Sequence, residues 1–176
     1  MTKIRKTASI AKPYTFDKAS SKQGEFSTSL SHSKAQDKTI ARRLHDSFGI
    51  EVDLDNYAFV ASQKTVFLTS PTILPYLNHA RFEKVGIPIA KILTNKRTEE
   101  KDFIPLQHLA NTLGHLATHH TISITPNQAQ SYTEGETLDI DQMLEDRTYY
   151  LIHVDGLPFS LGKVIDGKIK NKFVGV

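Results

Sequence analysis

The chain contains no cysteine among its 176 residues, and this absence excludes several kinds of chemistry. Without cysteine there is no disulfide, no thiolate zinc site and no cysteine nucleophile. No apolar run approaches the ~20 residues of a membrane span, and no apolar stretch follows the N-terminal lysines as it would in a secretory signal. We therefore expect neither a membrane span nor a signal peptide, and the lack of cysteine fits a cytoplasmic protein.

What the chain does contain is an uneven distribution of charge, which the formal net charge of +3 conceals. Residues 1–45 carry ten Lys or Arg against three Asp or Glu. Residues 46–155 carry eight against fifteen, and residues 156–176 carry four against one. Both ends are thus basic and the middle is acidic. Basic segments predict an anionic partner, although a solvated basic tail is the alternative for residues 1–33.

Two Asp-Gly pairs near the C-terminus, Asp155-Gly156 and Asp166-Gly167, each stand between apolar runs. Asp-Gly is a strong hairpin signal, because a tight hairpin turn needs positive φ and glycine adopts it without steric cost. Two such turns in succession predict a three-stranded antiparallel meander that begins near Tyr149.

The last strand of this predicted meander carries a row of lysines, since alternate positions are occupied by Lys168, Lys170 and Lys172. Side chains alternate between the two faces of a strand, so three ammonium groups would lie on one face roughly 7 Å apart. Such a row is suited to a phosphate backbone.

The sequence before the meander predicts an α+β fold in several segments. Residues 1–33 are rich in serine and threonine without apolar periodicity, which predicts a flexible basic arm or linker. Residues 34–98 begin with a helix that Ser33 caps and that runs to about Phe48. They continue as short strands, which predicts a small α+β subdomain. The charged segment 95–102 is the predicted boundary.

Residues 103–176 form the second predicted unit, a mostly antiparallel β module. Pro105 is interpreted as a first-turn proline of a helix over 105–119. A shorter helix is predicted from Pro126 to about Tyr132, capped by Thr125, and the meander follows it.

Clusters of histidine and acidic residues in this unit lack the spacing of a metal site. His115 and His119 are four residues apart, but no third ligand follows at a suitable distance. The calcium-loop spacing and its glycine are absent from the acidic residues Asp139, Asp141, Glu145 and Asp146. We therefore expect no metal ligands and no catalytic residues in this chain.

The meander resembles a known family of RNA-modifying enzymes. The strings Asp155-Gly-Leu-Pro-Phe-Ser-Leu-Gly-Lys163 and Gly167-Lys-Ile-Lys-Asn171 are similar to the C-terminal end of the RsmF-like ribosomal RNA cytosine methyltransferases of the Sun family. That family carries the pattern G-x-P-L-G-W-G-K followed by G-R-I-K-N-H-Y-P-K-G-L-R. The similarity extends over roughly residues 38–173, through the segments Phe48-Gly-Ile-Glu-Val-Asp, Val66-Phe-Leu-Thr-Ser-Pro, Thr125-Pro-Asn-Gln-Ala-Gln and Gly135-Glu.

This resemblance implies that residues 103–176 are a PUA-like module that binds RNA, expected to be ribosomal. It makes candidate RNA-contact residues of Lys163, Lys168, Lys170, Asn171 and Lys172. Asn171 has an equally open alternative, a structural hydrogen bond to the turn.

The chain departs from the family pattern in three respects. Leu161 stands where the family has a tryptophan, which removes an aromatic ring suited to base stacking. The Pro-Lys-Gly-Leu-Arg ending is absent. The catalytic cysteine and a glycine-rich methyl-donor loop are absent too, so we expect no enzyme activity and a need for S-adenosylmethionine only if a separate catalytic domain is present.

Two alternatives stay open at the level of sequence. The basic strand could dock an acidic protein, such as a separately encoded catalytic subunit. The chain could also be a fragment of a methyltransferase, since the sequence does not show whether Met1 is a natural start.

Overall fold

The computed structural model of the protein describes residues 29–79, 82, 84–94, 99 and 101–171. The strands in these ranges are β1 (Leu30–Ser31), β2 (Ala58–Ser62), β3 (Thr65–Thr69), β4 (Ile87–Thr94), β5 (Lys101–Pro105), β6 (Thr121–Ile124), β7 (Leu138–Asp139), β8 (Tyr149–Val154), β9 (Leu157–Ile165) and β10 (Lys168–Asn171). The α-helices are α1 (Lys34–Phe48), α2 (Gln107–Leu113) and α3 (Pro126–Thr133). Short 3₁₀ helices occupy Pro71–Tyr76 and Gly114–Leu116.

The strands form two five-stranded sheets. The first sheet has the order β1-β2-β3-β4-β5, with antiparallel neighbours throughout. The second has the order β6-β8-β9-β10-β7, in which only β6 and β8 are parallel. The predicted α+β fold with a mostly antiparallel module is therefore confirmed. None of the helices in the described ranges has the length and apolar character needed to cross a bilayer.

Helix α1 forms where the sequence predicts it, because both of its ends are satisfied locally. The Ser33 hydroxyl accepts the backbone N–H of Gln36 at 3.1 Å, as an N-cap does. Gly49 ends the helix in the left-handed region at φ 66°, and its N–H bonds to His45 O. The buried residues Ile40, Leu44 and Phe48 share the helix face that packs on the core.

The largest buried cluster joins the two sheets. It contains Phe59 and Ile89 from the first sheet, Leu44 from α1, Leu109 from α2 and Leu161 from the second sheet. A second cluster covers the other face of the second sheet beneath α3. A third lies on the other face of the first sheet, around Val60. Every face of both sheets thus has apolar packing.

The segment before β6 also docks onto the C-terminal end of α1. Phe48 O accepts the backbone N–H of Thr118 at 2.9 Å and that of His119 at 3.3 Å. A ring nitrogen of His120, Nδ1, lies 2.6 Å from Ser47 O. The last carbonyls of a helix have no partner within it, so these contacts satisfy groups that would otherwise need water.

The helix predicted over 105–119 is wrong in its extent. Pro105 is the last residue of β5, where it faces Ala90 across the ladder, and the helix runs only over Gln107–Leu113 before tightening into a 3₁₀ turn. Proline lacks an N–H, and neither the first turn of a helix nor the end of an edge strand requires that donor. A proline in the sequence therefore does not distinguish the start of a helix from the end of an edge strand.

The predicted division into residues 34–98 and 103–176 stays a prediction, and the sheet pairing adds detail to it. Strand β5 follows the predicted boundary but belongs to the first sheet. Gln107 in α2 donates to Phe159 O at 2.9 Å and accepts from the Ser160 hydroxyl at 2.9 Å, which joins α2 to the second sheet. Of the predicted arm, residues 1–33, only residues 29–33 are described, and strand β1 forms there.

Candidate nucleic-acid interface

The predicted meander forms as β8, β9 and β10, with both Asp-Gly turns in the expected conformation. Asp155 and Gly156 have φ of 52° and 78°, and Asp166 and Gly167 have φ of 53° and 74°. Positive φ at both central residues is the geometry of a two-residue hairpin loop whose twist matches its strands. The two turns thereby bring β8 and β10 to opposite sides of β9.

A row of three side chains crosses the meander on one face. Lys163 in β9 pairs with Tyr149 in β8 on one side and with Lys170 in β10 on the other. Paired residues project from the same face of a sheet, with Cβ atoms about 4.5–5.5 Å apart. Two lysines therefore stand directly opposite each other, and neither forms an ion pair with any described residue.

The other candidate lysines have different surroundings. Lys168 lies on the same face of β10 as Lys170, but its Nζ is 2.9 Å from Asp139 Oδ2 in the neighbouring strand β7. This pair is exposed and holds Lys168 only weakly. Lys172 lies outside the described residues. We call the surface formed by Lys163, Lys168 and Lys170 the lysine face.

Asn171 lies on the opposite face of β10 from the lysines. Its Nδ2 donates to Tyr132 O, so the acceptor of this structural hydrogen bond lies in α3 and not in the turn that the sequence suggested. The Tyr132 hydroxyl donates in turn to Leu161 O at 2.5 Å. Ile169, on the same side, is fully buried. Helix α3 thus fixes the two strands that present the lysine face.

The lysine face begins at a cleft of about 420 Å³ between the two sheets. One wall consists of residues 46–48 at the end of α1 and residues 102–105 of the edge strand β5. The other wall consists of His120 just before β6, residues 145, 147 and 148 in the loop before β8, Tyr149 of β8 and Lys163 of β9. The cleft therefore carries charges of both signs and the aromatic rings of Phe48, Phe103 and Tyr149.

Tyr149 connects the cleft with the lysine face. The ammonium of Lys163 lies 5.2 Å from the centroid of the Tyr149 ring, within cation–π range. Burial raises the pKa of the Tyr149 phenol, and the negative charge of Asp102 raises the pKa further. The phenol is therefore neutral at physiological pH.

Leu161, at the position of the family tryptophan, is 1% exposed and belongs to the core between the sheets. A side chain at this position points away from solvent. The aromatic residue that borders the lysines is Tyr149, which is not among the RNA contacts expected from the sequence. The sequence marks Tyr149 only as the first residue of the predicted meander.

Comparison with known proteins supports the interpretation of the second sheet as part of a PUA-like module. The family model of the methyltransferase RsmF PUA domain matches residues 119–174, which contain all of β6 to β10 and α3. A comparison with curated proteins finds no significant match to this chain.

Residues 119–174 are therefore a PUA-like domain, a class of RNA-binding module. More particularly, this part of the chain is a PUA-like domain of the type that RsmF methyltransferases carry.

Proposed function

We propose that this protein binds ribosomal RNA through the lysine face, with Lys163, Lys168 and Lys170 in contact with phosphates, and that Lys172, outside the described residues, adds a further phosphate contact. The observation that carries the proposal is the direct pairing of Lys163 with Lys170 across β9 and β10. Like charges placed directly opposite each other destabilise a sheet, so an uncompensated lysine pair costs folding energy. Binding an anion reverses that cost, because the two ammonium groups then share phosphate charge.

Ribosomal RNA is proposed as the partner because the domain is of the RsmF methyltransferase type. A PUA-like module supplies such an enzyme with RNA affinity, and its contacts with structured RNA are dominated by backbone and shape. We further propose that the protein acts in the cytoplasm, in keeping with its lack of cysteine.

We also propose that this chain transfers no methyl group itself. The sequence contains no cysteine to attack a cytosine ring, so it cannot supply the nucleophile that the resembled chemistry uses. S-adenosylmethionine would then be needed only by a separate catalytic domain. Incubation with labelled S-adenosylmethionine and ribosomal RNA should transfer no label, and transfer above a boiled control would overturn this proposal.

Gel-shift titrations test the RNA-binding proposal. Fragments of ribosomal RNA and an unrelated structured RNA of equal length are titrated with the protein at two salt concentrations. We expect tighter binding to a ribosomal fragment at both concentrations, and weaker binding of every RNA at the higher one. Equal affinity for both kinds of RNA would contradict the proposal that ribosomal RNA is the specific partner. An absence of any shift at low salt would remove RNA binding altogether.

A further inference from the structure

The cleft contains one carboxylate and one ammonium that lack a charged partner among the described residues. Glu145 lies 3.5 Å from His120 Nε2, and Asp46 lies 4.0 Å from Arg42 Nε, so two of the three cleft carboxylates have a side-chain nitrogen within 4 Å. The third, Asp102, has no hydrogen bond or ion pair of its side chain in the part of the chain that the structure describes. Lys163 is likewise without an ion pair there.

These two groups line the same cleft as one aromatic side chain, that of Tyr149. The ammonium of Lys163 lies 5.2 Å from the centroid of the Tyr149 ring, whereas Asp102 lines the cleft from the facing sheet. Asp102 is exposed, so water solvates its charge in the free protein. A bound molecule with an anionic group at one end and a hydrogen-bond donor at the other would match both groups at once.

The size and position of the cleft restrict what such a molecule can be. A volume of about 420 Å³ falls in the range of small-molecule sites. Lys163 belongs to the cleft and to the lysine face, so a strand of RNA held on that face passes the mouth of the cleft. A carboxylate beside an RNA backbone repels the phosphates. Its presence there favours binding only when it accepts a hydrogen bond from a base.

We propose that the cleft takes one unstacked nucleotide of the bound RNA, with its phosphate at Lys163 and the exocyclic amino group of its base at Asp102. The inference rests on the proposed RNA binding. Carboxylates accept hydrogen bonds from the N4 amino group of cytosine. Uracil has a carbonyl oxygen at the same position, and that oxygen and the carboxylate repel each other. The cleft therefore selects cytosine over uracil.

Fluorescence anisotropy with short oligocytidine and oligouridine tests this selection. The two RNAs carry the same backbone charge, so a difference between them reports the base. We expect the protein to bind oligocytidine about fivefold more tightly, the equivalent of about 1 kcal/mol. In the Asp102→Asn variant this preference should vanish, because an amide accepts from cytosine N4 and also donates to uracil O4.

Two controls separate base recognition from charge. The Asp55→Asn variant makes the same chemical change at an exposed residue outside the cleft, and it should keep the fivefold preference. The Lys163→Gln variant should lower the affinity for both RNAs by the same factor, because Lys163 contacts phosphate. With the unaltered protein, an RNA that carries 2-pyrimidinone in place of cytosine lacks only the amino group and should bind like oligouridine.

The outcomes distinguish this inference from the function on which it rests. Equal binding of oligocytidine and oligouridine, or an undiminished preference in Asp102→Asn, would overturn the inference while RNA binding stands. Oligocytidine and the 2-pyrimidinone RNA binding equally would overturn it as well, without any variant. Failure to bind any RNA, including ribosomal fragments, would overturn both proposals.

Discussion

At the scale of single residues, neighbours in β10 have opposite roles. Lys170 projects from the lysine face, whereas Asn171 projects from the other face and donates to Tyr132 O. We expect Asn171→Ala to lower the free energy of unfolding by about 1 kcal/mol, the usual net contribution of one hydrogen bond. Urea denaturation measures this change. The salt dependence of RNA binding should stay the same, and a flatter dependence with unchanged stability would make Asn171 an RNA contact instead.

Asp37 is a second residue whose role is structural. It is 8% exposed, and its carboxylate accepts the N–H of Phe59 at 2.8 Å and lies 2.8 Å from His32 Nε2. We expect Asp37→Ala to destabilise the protein by about 2–3 kcal/mol, because it removes a charge-assisted bond and leaves a buried N–H unsatisfied. Thermal or urea denaturation would show this loss.

Asp37→Asn is the matched control, because the amide oxygen can still accept from Phe59. It should lower the free energy of unfolding by less than half as much as Asp37→Ala does. Equal losses in the two variants would show that the charge of Asp37, rather than its acceptor at Phe59, provides the stabilisation.

At the scale of elements, the end of α1 is where the segment before β6 makes its closest contact. A Cβ added at Gly49 would lie 1.9 Å from Thr118 Oγ1 and 2.7 Å from His119 Nδ1, and the φ of 66° is itself unfavourable for other residues. We expect Gly49→Ala to destabilise the protein by about 3 kcal/mol through both effects. Urea denaturation measures the loss.

Gly135→Ala separates these two effects. Gly135, in the turn after α3, also has a positive φ, 96°, but a Cβ added there would have no neighbouring atom within 4 Å. Its substitution should therefore cost only the conformational part, about 1 kcal/mol. Equal costs at the two glycines would contradict tight docking at the end of α1.

The elements also show how far the sequence could predict the site. The Asp166-Gly167 turn sets the register of β9 and β10 directly, so the pairing of Lys163 with Lys170 follows from the sequence. The pairing of Lys163 with Tyr149 does not. A register shift between Ile152 and His153 moves the β8–β9 pairing by one residue, and a one-residue slip transfers side chains to the other face. Local turn chemistry carries no signal for that bulge.

Asp102 is the second part of the site that the sequence could not place. The charged segment 95–102 predicts a boundary, because it offers no apolar residue to pack. Its last residues nevertheless extend the first sheet as β5, and this pairing brings Asp102 to the cleft. Edge-strand pairing of a polar segment depends on backbone hydrogen bonds, which composition does not reveal.

At the scale of the whole molecule, one core joins both sheets. Leu151 and Leu161 of the second sheet share a buried cluster with α1 and the first sheet. We therefore expect the described part of the chain to unfold as one cooperative unit. Hydrogen exchange should give the amides of β4 and those of β9 the same free energy of opening. A lower value for either strand would show that the two sheets open separately.

If the lysine face binds RNA phosphates, its cations set the salt dependence of RNA binding. The Lys163→Gln/Lys170→Gln variant removes the two opposed cations, and each lost phosphate contact reduces the log–log slope by about 0.7–0.9. The matched control is Lys38→Gln/Lys64→Gln, which removes two exposed lysines from α1 and the β2–β3 turn. We expect a slope flatter by about 1.5 in the first variant and unchanged in the control. An unchanged slope in the first variant, or equal flattening in both, would show that the lysine face does not bind RNA phosphates.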